Sequence, residues 1–381
     1  MTHLYSEEIG RKNNFDFLRF VLAVSVMFTH AFLIYQGKDF FEPLFWLTNK
    51  QLTLGTFAVN SFFIISGFLV LQSWYYSKGI FDFLKKRILR IYPGFIVVCL
   101  ACAFVFGPLG NGNMQHPFGD YKAYISVVNF RYLFYTTSHL LPPFLPETFL
   151  SLPMPNDINV SLWTIWYEFV CYLGILCIGL LGLYKKKFIL LSLFIVALIL
   201  NLLHHNPYNT TPVDWKISFL SEDSIDRLYN MEHFAMMFLA GACFYYYRDY
   251  IPKTKWLVLL SIIVMLICFR WVRLFQMAQA LFGSYLLFWV VFSKQLKLYN
   301  FAKYGDFSYG IYLYGWPVQQ FVLLYFGNKL NIAGTFIVSL LIVFPLAMLS
   351  WHLVEKQFLK LKKLNISVNF FRPKSKDVTG L

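Results

Sequence analysis

Long apolar runs separated by short polar segments are the main feature of this 381-residue sequence. Runs near 20 residues recur along the chain, and each is long enough to cross roughly 30 Å of hydrocarbon as a helix. The pattern predicts an all-α, polytopic integral membrane protein with about ten transmembrane helices. The predicted spans are residues 17–36, 54–76, 91–107, 161–183, 187–204, 231–248, 255–271, 274–293, 309–326 and 332–354.

The charged residues divide unevenly between the two sides of these predicted spans. If the N-terminus is cytoplasmic, most of the 33 Lys and Arg residues fall in cytoplasmic segments, and many acidic residues fall in the outer loops. An excess of Lys and Arg in cytoplasmic loops is a general property of membrane proteins. The pattern predicts that both termini are cytoplasmic, and it explains the net charge of +14 without nucleic acid as a partner.

The composition supports a single membrane-embedded unit. Only 14% of the residues are charged and 58% are hydrophobic, whereas soluble proteins carry about 25% charged residues. We predict one transmembrane domain over residues 1–360 and a short basic cytoplasmic tail over 361–381. The longest outer loops are expected at about 108–160 and 205–230. Such loops often cover binding sites, although a simple connecting role explains them equally well.

The first predicted span carries two ionisable side chains, Arg19 and His30. Their eleven-residue spacing is three helical turns plus about 20°, so both lie on one helix face, roughly 16 Å apart along the axis. Ionisable groups inside a membrane are costly and indicate function by default. The alternatives are an arginine that anchors the helix at the interface and a histidine that satisfies a contact between helices.

His30 is suited to general-base chemistry because imidazole can be neutral or charged near pH 7. In that role a neutral imidazole could remove a proton from a sugar hydroxyl as that oxygen attacks an acyl carbonyl. Glu168 is the one carboxylate well inside a predicted span. It is a candidate catalytic residue that orients or pairs with the imidazole, and a structural contact between helices is the alternative.

Arg87 and Arg90 lie in the KKRILR run at 85–90 and share a helix face. Guanidinium groups bind phosphate through paired hydrogen bonds, so a phosphate-bearing cytosolic donor would fit there, with Arg19 as a further cation. Any cytoplasmic loop is expected to be basic, so the spacing alone does not decide this point. We predict no metal site, because no Cys or His residues occur at metal-ligand spacing.

Six segments resemble, in order, the motifs of the membrane acyltransferase 3 family. Together they extend over about residues 18–358, nearly the whole chain. The segments are FDFLRFVLAVSVMFTH (15–30), NSFFIISGFLV (60–70), RILR with the following IYP (87–93), SLWTIWYEFVCYL (161–173), FSYGIYLYGWPV (307–318) and VEKQF (354–358).

The resemblance implies a ten-helix membrane enzyme that moves an acyl group, often acetyl, from cytosolic acyl-CoA to a hydroxyl of an extracytoplasmic saccharide. It implies that His30 is catalytic, that Arg87 and Arg90 bind the donor with Arg19 nearby, and that Glu168 belongs to the site. The implied partners are acyl-CoA, an envelope polysaccharide or lipid-linked sugar, and membrane lipid. The implied location is the bacterial inner membrane.

The sequence departs from the family pattern at two places. Gly315 stands where many relatives have histidine, and Lys356 and Gln357 stand where an Arg-Pro pair is common, so no role is carried over to them. We expect the chain to lack the C-terminal hydrolase-like domain that is fused to some relatives. The alternative function is a carrier or flippase for a saccharide or lipid-linked intermediate, with His30 and Glu168 as a proton-coupling pair.

Overall fold

A computed structural model of the protein describes residues 13–111, 130–141, 145, 148–203, 222–327 and 329–363. In these ranges the regular structure is helical, and no β-strand occurs. The all-α prediction is therefore confirmed for the described part of the chain. Much of the two predicted outer loops, and the predicted tail beyond residue 363, lie outside the described residues.

Ten long helices account for most of the described chain, and each coincides with a predicted span. Six of them, α1 to α4, α8 and α10, are long and apolar enough to cross a membrane. The count of ten spans and the cytoplasmic location of both termini stay predictions. The helices are α1 (Phe15–Gln36), α2 (Leu54–Tyr75), α3 (Ile80–Asn111), α4 (Val160–Leu180), α5 (Lys187–Leu203), α6 (Glu222–Tyr246), α7 (Lys255–Cys268), α8 (Val272–Val291), α9 (Ser308–Phe326) and α10 (Ile332–Lys360).

Two helices begin well before the predicted spans. Helix α3 begins at Ile80, about three turns before the predicted start at residue 91, so the basic run at 85–90 is helical. Helix α6 begins at Glu222 rather than at residue 231. In both cases the first turns carry charged residues, which a search for apolar runs assigns to loops. The early start of α3 matters for the site, because it builds the basic run into the helical bundle.

Side-chain caps fix the starts of three helices. Thr53 accepts a hydrogen bond from the backbone N–H of Thr56 at the start of α2. Thr254 and Asn331 make the same kind of contact three residues onward at the starts of α7 and α10. Each cap satisfies a backbone donor that the helix itself leaves unpaired.

Helix α2 lies at the centre of the bundle and packs against α1, α4 and α6. Its contact with α6 is backbone against backbone at two glycines. A Cβ atom added at Gly67 would lie 1.8 Å from the carbonyl oxygen of Phe238, and one added at Gly241 would lie 1.8 Å from that of Ile64. Small residues at such positions allow membrane helices to approach closely. This close approach fixes the position of α2 along α6.

We expect Gly67→Ala and Gly241→Ala to destabilise the protein by about 1–3 kcal/mol or more, because the new methyl group meets backbone that cannot move aside. The matched control is Gly174→Ala on α4, where an added Cβ meets no described atom within 4 Å. Thermal unfolding of the purified proteins in detergent measures the effect. Unchanged midpoints for Gly67→Ala and Gly241→Ala would contradict the packing described here.

Candidate active site

Asp306, in the turn before α9, joins three helices through its carboxylate. Its Oδ2 atom accepts hydrogen bonds from Arg19 Nη1 of α1 at 2.6 Å and from Arg90 Nη2 of α3 at 2.5 Å. Its Oδ1 atom accepts a bond from the Ser308 hydroxyl at 2.5 Å. One carboxylate therefore holds two of the predicted donor-binding arginines side by side.

The Asp306 carboxylate stays charged in this position. Burial alone would raise its pKa, but the adjacent Arg19 and Arg90 guanidinium groups outweigh burial and hold the pKa of Asp306 well below its usual range. No sequence pattern singled out this residue, because Asp306 lies one position before the segment FSYGIYLYGWPV that carries the family resemblance. The signal available in the sequence was an acidic residue immediately before a predicted span.

Arg87 lies one helical turn before Arg90 and makes no ion pair among the described residues. Its Nη2 atom donates to the Ser73 hydroxyl at 3.1 Å, and its guanidinium carbon lies 5.6 Å from the centre of the Tyr172 ring. Its Nε–H is buried without a hydrogen-bond partner in the described part of the chain. Arg87 thus keeps a hydrogen-bond donor and a positive charge available for a ligand. Arg19 and Arg90, in contrast, are paired with the Asp306 carboxylate.

A further cation reaches this group from the segment after α10. Burial, followed by the charges of Arg90, Arg87 and Lys86, lowers the pKa of Lys362 to about 7. Such a shift is expected when an amine lies against other positive groups with little water to screen them. The sequence analysis assigned Lys362 only to the basic tail.

Glu168 of α4 lies beside this group of arginines, in a contact with two hydroxyl groups. Its Oε1 atom accepts hydrogen bonds from Ser66 Oγ at 2.8 Å and from the Tyr172 hydroxyl at 2.5 Å. The predicted contact between Glu168 and His30 does not occur among the described hydrogen bonds. Glu168 faces the cavity, where Ser66 of α2 and Tyr172, one turn further along α4, donate to its Oε1 atom, whereas His30 does not line that cavity.

A cavity of about 130 Å³ connects these groups, with walls from α1, α2, α3, α4 and α9. Val59, Phe62, Ser66 and Leu69 of α2 line it at a spacing of three or four residues, so it follows one face of that helix. We call the part near Arg19, Arg87 and Arg90 the arginine end and the part near Val59, Thr164 and Tyr312 the tyrosine end. Glu168 and Ser66 lie between them.

A hydrogen-bonded side chain, Tyr312, forms part of the wall at the tyrosine end. The Tyr312 hydroxyl donates to the Ser161 carbonyl oxygen and lies 2.5 Å from Thr164 Oγ1. The Phe62 ring packs against Tyr312 at a centroid distance of 6.4 Å. These contacts hold the Tyr312 side chain in one position in the cavity wall.

His30 lies beyond the tyrosine end and does not line the cavity. Its ring meets the edge of Trp316, with ring centres 4.9 Å apart, and Trp316 Nε1 donates to the Asp157 carbonyl oxygen at 2.7 Å. Trp316 follows Tyr312 by four residues, about 6 Å along α9. Within the described residues, neither ring nitrogen of His30 has a hydrogen-bond partner in the protein.

Arg19 and His30 lie on one uninterrupted helix, so the eleven-residue spacing places them on the same face of α1. Ala23 and Val26 lie between them on that face, and both are buried. The structure thus brings Arg19, Arg87, Arg90 and Glu168 to one cavity and leaves His30 roughly one turn of α9 beyond the tyrosine end.

The described part of the predicted loop 108–160 covers the His30 region. Gln320 Nε2 of α9 donates to the Met154 carbonyl oxygen at 2.8 Å, and a Cβ at Gly37 would lie 3.2 Å from Pro153. Leu152 and Met154 also pack on a small cluster around Trp316 and Ile34. This segment therefore packs against the end of α1 and the middle of α9, next to His30.

A second buried polar group, absent from the sequence analysis, joins α2, α6 and α8. His233 Nε2 lies 2.8 Å from Asn60 Oδ1, and Asn60 Nδ2 donates to Gln279 Oε1 at 3.0 Å. Gln279 also donates to the Phe57 carbonyl oxygen at 2.9 Å. Because the three side chains satisfy one another, we interpret this group as a structural link between the helices. In the described residues, no three His, Cys, Asp or Glu side chains form a cluster that could hold a metal ion.

Comparison with known proteins points to one family. The family model described as an acyltransferase domain matches residues 12–352. The chain is 28% identical to an O-acetyl transferase of Shigella phage Sf6, in a match that covers 94% of this chain and 99% of the phage protein. It is also 28% identical to nodulation protein 10 of Rhizobium leguminosarum bv. viciae, covering 93% and 95% of the two chains. No solved structure matches the chain significantly.

We expect Asp306→Asn to destabilise the protein by about 3–5 kcal/mol, because it leaves two partly buried guanidinium groups without their counter-charge. The folded-state pKa of Asp306 is depressed, so its contribution to stability is fully present above about pH 4 and is lost as the pH falls below that value. Thermal unfolding at pH 7 and at successively lower pH measures both effects.

The matched control for this experiment is Asp226→Asn, which changes an exposed carboxylate on α6. Its unfolding midpoint should stay close to that of the wild type at every pH. A difference in unfolding midpoint between wild type and Asp306→Asn that stays constant below pH 4 would show that the Asp306 charge does not stabilise the fold.

Proposed function

This chain belongs to the acyltransferase-domain family, and from that premise we propose that it transfers an acyl group, acetyl in the first instance, from acyl-CoA to a hydroxyl of an extracytoplasmic or lipid-linked saccharide. The observation that carries the proposal is a cavity with three arginines at one end and His30 just beyond the other. The name of the phage relative, an O-acetyl transferase, supports acetyl as the group transferred.

The arginine end has the chemistry to bind the phosphates of the donor. Asp306 holds Arg19 and Arg90 in fixed positions and leaves the pair with a net positive charge. Arg87 contributes a guanidinium that forms no ion pair with a described carboxylate, and its Nε–H, which has no partner among the described residues, can donate to a phosphate oxygen. Three cations in a partly buried position attract a polyanion strongly, because little water screens them.

His30 acts as the catalytic base in this proposal. Its neutral imidazole removes the proton from the acceptor hydroxyl as that oxygen attacks the thioester carbonyl carbon. The new ester C–O bond forms, the thioester C–S bond breaks, and CoA leaves as the thiolate, which takes up a proton. Trp316 fixes the plane of the imidazole by edge contact, and both ring nitrogens are unoccupied by described protein groups.

Glu168 is better placed to contact the donor than to contact His30. Its carboxylate lies in the cavity, held by Ser66 and Tyr172, and one oxygen, Oε2, makes no described hydrogen bond. A carboxylate in that place can accept a hydrogen bond from an amide N–H of the donor's pantetheine arm. We therefore propose that Glu168 positions the donor, with His30 alone as base.

An integral membrane location follows from the apolar helices and from the family. For this chain we further propose the bacterial inner membrane, with the arginine end toward the cytoplasm and His30 toward the outside. The basic residues near α3 and after α10 support that orientation. The donor would then remain cytosolic while its acyl group crosses toward the acceptor.

The carrier alternative depends on His30 and Glu168 acting as one proton-coupling pair. Each of the two residues has other neighbours in the structure: His30 contacts Trp316, and Glu168 contacts Ser66 and Tyr172. No described contact favours the carrier, so we do not propose it as a second function.

We expect His30→Ala to lower acyl transfer at least about 100-fold, because a positioned general base contributes roughly 10²–10⁴-fold to such reactions. Membranes that contain the protein are supplied with acetyl-CoA labelled in the acetyl group, and label is counted in the envelope saccharide fraction. The matched control is His139→Ala, which removes an exposed histidine away from the cavity and should leave the rate unchanged.

Label that reaches saccharide equally well with His30→Ala would contradict the role of His30. If wild-type membranes transfer label from neither acetyl-CoA nor longer acyl-CoA thioesters, the acyltransferase proposal itself is wrong for this chain.

We expect Glu168→Gln to raise the KM for acetyl-CoA about tenfold and to lower kcat much less, because a donor contact is lost and the base is kept. Initial rates at varied acetyl-CoA concentrations measure both constants. A large fall in kcat at an unchanged KM would instead assign Glu168 to the chemical step.

A further inference from the structure

The two ends of the cavity differ in polarity. The arginine end presents three guanidinium groups together with the hydroxyl groups of Ser308 and Tyr172. Apolar side chains line both parts of the cavity, but toward the tyrosine end Val59, Phe62, Phe63 and Ile165 line it without any charged group. A donor with phosphates at one extremity and an acyl chain at the other can enter in only one direction, because the anionic extremity belongs with the cations. The acyl chain then lies at the tyrosine end.

The cavity is short and narrow. Its lining residues on α2 extend from Val59 to Val70, eleven residues or roughly 16 Å of helix. Its volume of about 130 Å³ is roughly ten times the 10–15 Å³ that a single water requires. That space suits a slender thioester arm and leaves little for the chain beyond the thioester carbonyl.

The tyrosine end cannot easily extend to admit a longer chain. Tyr312 is tied to the Ser161 carbonyl oxygen and to Thr164, which belong to the first turns of α4. The Phe62 ring packs against Tyr312 from α2. Helix α2 is itself fixed by the close glycine contacts with α6, so its side chains cannot retreat as a unit.

We propose that the tyrosine end of the cavity, bounded by Val59, Phe62 and Tyr312, is the acyl-chain site and restricts the transferred group to a short chain. This inference rests on the proposed acyltransferase function and names the property that the sequence leaves open, the size of the acyl group. Phe62 is the residue that sets the limit, because its ring occupies the space that a longer chain would need.

The test compares the kcat/KM values for acetyl-, butyryl- and hexanoyl-CoA in the wild type and in Phe62→Ala. The wild type should prefer acetyl-CoA, and Phe62→Ala should raise the ratio of hexanoyl to acetyl transfer at least about tenfold, the effect expected when a pocket gains room for methylene groups. Phe62→Leu, which removes less volume, should give a smaller increase in the same direction.

The matched control is Leu69→Ala, an apolar truncation two turns away on the same face of α2, at the arginine end. It should leave the hexanoyl-to-acetyl ratio within about twofold of the wild type, whatever its effect on the absolute rate. An unchanged ratio in both Phe62 variants, or an equal shift in Leu69→Ala, overturns the acyl-chain site. A wild type that transfers none of the three acyl groups overturns the proposed function as well.

Discussion

The ion pairs and hydrogen bonds of Asp306 are the constraint on which the candidate active site depends. Arg19 and Arg90 come from helices that are distant in sequence. Their positive charges would repel each other without a negative group between them. The Asp306 carboxylate meets both guanidinium groups and is fixed in turn by Ser308 at the start of α9. Three helices are thereby held around one end of the cavity, with positive charge left over for a ligand.

The packing of α2 fixes the position of the rest of the cavity wall. Because Gly67 and Gly241 allow α2 and α6 to touch through their backbones, α2 has one fixed position along its neighbour. The face that carries Phe62 and Ser66 is then presented to α4 and α9, where Glu168 and Tyr312 complete the wall. A rigid scaffold of this kind keeps the arginine end and His30 at a constant separation, which a reaction across the membrane requires.

The sequence was sufficient for the helical class, the approximate positions of the long helices and the shared face of Arg19 and His30, because apolar periodicity and helix geometry determine them. It also placed Arg87 and Arg90 on one helix face, although the predicted span began only at residue 91. It could not identify Asp306 as their partner or Ser66 and Tyr172 as the partners of Glu168, because those contacts join segments that are far apart in sequence. Pairing Glu168 with His30 was reasonable by charge alone, and only the packing of α4 against α2 separates the two.

The most direct test of this account measures whether donor binding and chemistry are separable. Isothermal titration calorimetry with CoA on the purified protein gives the Kd for the wild type, His30→Ala and Arg87→Gln. The account predicts that His30→Ala binds CoA within about threefold of the wild type, and that Arg87→Gln binds at least about tenfold more weakly, since a charged hydrogen bond is worth roughly 1.5–3 kcal/mol. Loss of CoA binding in His30→Ala, or full binding in Arg87→Gln, would contradict it.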